Sequence, residues 1–127
     1  MSTPAKALAA ADVRRLLAHV RRGRCPVRDQ VIVMLSFKAG LRACEIAGLD
    51  WTMVLAAGGK ISQSLFVSGN IAKYGRSRHV PLHRELQAQL RRLHVEAGRP
   101  RAGAVIVSRR GGPLRARSIV NWIFASS

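Results

Sequence analysis

The sequence predicts an α+β domain, mainly helical, with a small three-stranded antiparallel sheet in its middle. Apolar residues recur at helical spacing before residue 50 and again over 83–97. Between these stretches the pattern changes to short β-branched and aromatic runs. No repeat, low-complexity tract or evident linker interrupts the 127 residues, a length that suits one domain around one core.

Residues 1–9 are small and include a proline, so they read as a frayed lead-in to a domain spanning 10–127. Over 10–22, Val13, Leu16, Leu17 and Val20 fall on one helical face, with Arg14, Arg15, Arg21 and Arg22 around the rest. Gly23 is placed to end that helix, and Pro26 suits the entry to the next, 26–39. Val31, Ile32, Leu35 and Phe37 make this second helix apolar almost all round, as a central core helix must be. Gly40 closes it, and a short helix at 42–49 carries Ile46 and Leu49.

Residues 51–55, 63–67 and 78–82 read as the three strands, with turns at Gly58-Gly59 and around Lys73-Tyr74-Gly75. Residues 83–97 return to helix with Leu86, Leu90 and Leu93 in a buried stripe. Residues 104–108 form a brief extended run, 109–113 a turn and 114–125 a last helix.

Charge narrows the partners. The 22 lysines and arginines outnumber 6 acidic residues, for a formal net charge of +16. Such a chain repels itself unless a polyanion neutralises it, and nucleic acid is the polyanion that fits. The cations are not confined to one amphipathic helix, which argues against a membrane surface. The longest apolar run, Val31–Leu35, is far short of the roughly 20 residues a membrane span needs. A soluble, cytoplasmic protein is expected. Cys25 and Cys44 lack metal-ligand spacing and read as buried or half-buried reduced thiols, and no metal site is expected.

Two segments hold side chains suited to phosphate chemistry. In 38–51, KAGLRACEIAGLDW, Arg42 opens a helix after a glycine turn, and Glu45 lies three residues on, on the same face, where it can orient the guanidinium. In 73–82, KYGRSRHVPL, Lys73 sits near a hairpin tip, and Arg76 and Arg78 can reach backbone phosphates. Taken singly, each segment also reads as an ordinary solvated surface. The helix–glycine–helix outline of 26–49 leaves open a non-catalytic basic module, helix-turn-helix-like or RNA-binding.

In this order the two segments resemble the catalytic domain of the tyrosine recombinases, the phage integrase family. Gly40-Leu41-Arg42, Glu45-Ile46, Leu49 and Trp51 match the family's Gly-Leu-Arg-x-x-Glu-[hydrophobic]-x-x-Leu-x-Trp stretch. Lys73, Arg78, Val80, Pro81 and Leu82 match its Lys-x-x-x-x-Arg-x-Val-Pro-Leu hairpin. The resemblance implies DNA integration or site-specific recombination, in which a tyrosine attacks a DNA phosphodiester to give a 3′-phosphotyrosyl link. It implies that Arg42 stabilises charge on the phosphate, that Lys73 gives a proton to the departing 5′ oxygen, and that Glu45 supports Arg42. Lys38, Tyr74, Arg76 and Arg78 would contact double-stranded DNA, other recombinase subunits would be partners, and neither metal nor cofactor would be required.

The family's remaining motifs are not matched. His19-Val20-Arg21-Arg22 has the letters of His-x-x-Arg but precedes Arg42, and the sole tyrosine, Tyr74, adjoins Lys73 on the hairpin. The expectation is therefore a catalytic domain cut short at its C-terminal side, with no nucleophile among these residues and no strand cleavage by them alone.

Overall fold

A computed structural model describes residues 10–72, 75–108 and 112, with side chains from residue 13 onward. The elements in chain order are α1 (Ala10–Val20), α2 (Pro26–Phe37), α3 (Ala43–Ala47), α4 (Trp51–Val54), β1 (Ser64–Val67), β2 (Arg78–Pro81) and α5 (Arg84–Glu96).

Helix α2 is the spine, packed by α1 on one side and α5 on another. Its run from Val31 to Leu35 is buried without a break, as its lack of a polar face requires. Each fully buried Ile or Leu there contributes about 1.5–3 kcal/mol through the area it removes from water. The predicted stripes are the ones that pack: Leu16, Leu17 and Val20 from α1, and Leu86, Leu90 and Leu93 from α5, are all buried. The end of α2 meets the start of α5, where Lys38 Nζ lies 3.9 Å from Glu85 Oε2.

The sheet has two strands among the described residues, not the three expected. Strands β1 and β2 pair antiparallel, Leu65 opposite Val80 and Val67 opposite Arg78. The expected first strand at 51–55 is instead the helical turn α4, and only Leu55 makes an isolated antiparallel bridge, to Ile61. The local cause is Asp50. Its carboxylate accepts hydrogen bonds from the Thr52 backbone N–H (2.9 Å) and hydroxyl (2.7 Å), an N-cap that outweighs the strand preference of Trp51, Thr52 and Val54.

Residues 103–105 lie antiparallel against 49–51. The Trp51 N–H donates to the Gly103 carbonyl (2.9 Å), the Val105 N–H to the Leu49 carbonyl (3.0 Å), and the Gly103 N–H to Asp50 Oδ1 (3.0 Å). Val105 and Ile106 are thereby buried in the core. The expected turn at 109–113, Gly112 apart, and the expected helix at 114–125 lie outside the described residues.

The second helix is less uniformly apolar than its pattern suggests, because Asp29 and Gln30 are buried with it. Arg28 compensates Asp29 through Nε (2.8 Å) and Nη2 (2.7 Å), and its Nη1 donates to the Val107 carbonyl (3.1 Å). Burial still raises the Asp29 carboxyl above its ordinary value, against the lowering effect of Arg28. Cys25 is half-buried as expected, but Cys44 is exposed, since α3 turns Glu45 and Ile46 inward instead. No helix among the described residues is long and apolar enough to cross a membrane.

Candidate nucleic-acid interface

The site begins where α2 stops. Gly40 takes a left-handed conformation (φ 73°), and the Leu41 N–H reaches back to the Leu35 carbonyl at 2.9 Å. This closure suits glycine, since a Cβ is disfavoured at positive φ. It seats Leu41 in the core and delivers Arg42, extended and exposed, as the residue before α3.

Glu45 ties this segment to the hairpin. Its residue is 1% exposed, so the carboxylate needs partners to remain charged. Oε1 accepts the Arg42 backbone N–H at 2.9 Å. Both oxygens are also held by Arg78, Nη1 to Oε2 at 2.6 Å and Nη2 to Oε1 at 2.9 Å, a fork-to-fork pair. The Arg78 hydrogen bonds are the chief reason the Glu45 carboxyl lies below its ordinary value. Burial opposes them, and the Arg42 N–H and the charges of Arg78 and Arg42 assist.

Glu45 is expected to orient the Arg42 guanidinium, whose charge does help hold its carboxyl low; the geometry adds the Arg42 backbone N–H and the Arg78 guanidinium as partners. A signal for this was available. Val80 and Leu82 face the core, so period-two alternation puts Arg78 on the same inner face. The register agrees, because Arg78 stands opposite buried Val67. On the outer face Phe66 stands opposite His79, their ring centroids 5.1 Å apart, a pairing not anticipated from sequence.

The turn between the strands is built by close approaches. A Cβ at Gly69 would lie 2.8 Å from the Gly75 carbonyl oxygen, so only glycine lets these two backbones meet. A Cβ at Gly48, the cap of α3, would lie 2.6 Å from Ile71 Cγ2, so the turn rests on the end of α3. Arg76 is exposed beyond it. Lys73 and Tyr74 lie outside the described residues. Lys38 is exposed, and its contact with Glu85 is long enough that solvent screens it heavily. Among the described residues, no group of three or more His, Cys, Asp or Glu side chains is placed to hold a metal ion.

A helical core presenting an arginine beside a buried carboxylate, with a basic hairpin docked over it, defines the class. The chain matches the phage integrase family over residues 6–125 and belongs to that family. It is similar to the tyrosine recombinase XerC of Pseudomonas entomophila (strain L48), 36% identical over 96 residues that cover 72% of this chain and 29% of the relative. The tyrosine recombinase XerC of Pseudomonas putida (strain W619) is similar to the same degree, 36% over 95 residues, with the same coverage. The chain thus spans under a third of the length of these relatives.

Proposed function

We propose that these 127 residues are the phosphate-holding part of a tyrosine recombinase catalytic domain, acting on double-stranded DNA in integration or site-specific recombination. The observation that carries this reading is the family's arginine motif folded as one unit, with Glu45 buried between the Arg42 backbone and the Arg78 fork. In the proposed reaction a tyrosine oxygen bonds to phosphorus, the bond to the 5′ oxygen breaks, and that oxygen takes up a proton. Negative charge gathers on the non-bridging oxygens, where a guanidinium supported at its backbone is well matched. Arg42 fills that role, and Lys73 supplies the proton.

The nucleophile is not among these residues in the family's order, so the chain by itself binds DNA without cleaving it. Other recombinase subunits are its partners in a synaptic complex, and the nucleoid is its place of work. The helix-turn-helix alternative is disfavoured because α3 has five residues and buries Glu45 and Ile46, leaving little helix to lie in a groove.

The test is incubation with a nicked duplex that traps covalent intermediates, alongside a binding titration. A duplex affinity that falls steeply with salt, without a protein–DNA adduct, is expected. An adduct would overturn the claim of inactivity, and absence of duplex binding would overturn the reading as a whole.

A further inference from the structure

The pair of buried Glu45 and exposed Arg78 joins two parts of the site that are 33 residues apart in sequence. We infer that Arg78 is a positioning residue that acts through Glu45 to hold the hairpin in register with Arg42, and is not itself a phosphate contact. This inference rests on the DNA-binding reading above.

Three observations support it. The fork is engaged by Glu45: both Nη groups of Arg78 lie on its oxygens, although the side chain is 41% exposed, and the residue stands opposite buried Val67. The carboxylate is fixed at its other end by the Arg42 N–H, so one buried group touches both the arginine segment and the hairpin. The hairpin is also braced independently, by Ile71 against Gly48. Ile71 and Arg78 flank the stretch that carries Lys73, so the base of the turn is anchored on both sides in sequence. A planar fork can define such a register, whereas a single ammonium cannot.

A role through Glu45 and a direct role on DNA predict opposite results for one substitution. Glu45→Gln removes a negative charge from the site, so simple electrostatics predicts tighter duplex binding. If Glu45 and Arg78 act as a register device, Glu45→Gln weakens binding, because the hairpin and Arg42 lose their common anchor.

The experiment is fluorescence anisotropy of a labelled duplex of about 30 base pairs at fixed salt, with Glu45→Gln, Arg78→Gln, the double variant and Arg78→Lys. Circular dichroism melts identify the temperature at which every protein is folded, and binding is read there. About three- to tenfold weakening is expected for each single variant, with the double variant no weaker than the worse single, since coupled residues are non-additive. Arg78→Lys should fail to restore affinity although it keeps the charge.

Tighter binding by Glu45→Gln, together with near-parental binding by Arg78→Lys, would make Arg78 a phosphate contact and overturn the inference. Failure of the parent chain to bind the duplex at all would instead remove the DNA-binding reading.

Discussion

Asp50→Ala removes three hydrogen bonds that cap α4 and tie its start to residue 103, and the cost can be assembled from them. Asp50 Oδ2 accepts from the Thr52 N–H and hydroxyl, and Oδ1 accepts from the Gly103 N–H. Losing an N-cap side chain costs about 0.5–2 kcal/mol. The Gly103 bond is charge-assisted, but water can replace its acceptor at an exposed residue, so it adds about 1 kcal/mol. The sum is about 2 kcal/mol, a sizeable part of a stability on the order of 5–15 kcal/mol. Asp50→Asn keeps one acceptor oxygen and should lose only about half of this, because Asn caps helices about as well as Asp.

Burial pushes the Asp50 carboxyl up, but its three hydrogen bonds together outweigh that and leave it below 3.8. Its contribution is therefore fully present above the unfolded value and is lost as pH falls through the lowered folded value. Urea unfolding followed by tryptophan fluorescence reads both effects, provided the slope with denaturant is unchanged between variants. The reasoning fails if Asp50→Asn is as unstable as Asp50→Ala at neutral pH, or if the deficit of either grows on acidification.

Gly48→Ala should destabilise by about 1–3 kcal/mol, as overpacking does, and should make the 68–77 turn more susceptible to limited proteolysis. An unchanged cleavage pattern would show that the turn does not rest on α3. Arg42→Gln should reduce the slope of log affinity for duplex against log salt by about 1, the mark of one lost phosphate contact, in a titration series over several ionic strengths. Glu45 has a folded value below 4.5, so its stabilisation holds above the unfolded value and is lost as pH falls through the folded one. Glu45→Gln should accordingly flatten the acid limb of the stability curve in urea melts across pH.

Much of the fold was legible because α1 and α5 carry strong helical periods and α2 an almost unbroken apolar run, and the packed residues are the ones these patterns mark. Helix α4 was not legible, because Trp51, Thr52 and Val54 have strand preferences, while the decisive information is one cap at Asp50 followed by Thr52. That signal is short and is easily overruled by composition. At the site, Arg42 and Glu45 were legible from their spacing and the family motif. The Arg78 partnership was legible only through the strand alternation, because the i, i+3 relation points first to Arg42, and the second partner of the carboxylate lies 33 residues on. The reach of Arg28 to the Val107 carbonyl, 79 residues on, was hidden for the same reason.

The packing of α5 on α2 has a consequence during synthesis. Helix α2 buries Val31 through Leu35 on nearly every side, yet the helix that covers part of it begins only at Arg84. While the intervening residues are added, at about 5–20 per second, that surface stays uncovered on the order of seconds. A nascent chain in that interval is a substrate for chaperones that bind apolar helices, and slow codons before Arg84 would lengthen the exposure. Yield in cells should therefore respond to the pace of translation through residues 38–96 more than to changes at the exposed arginines.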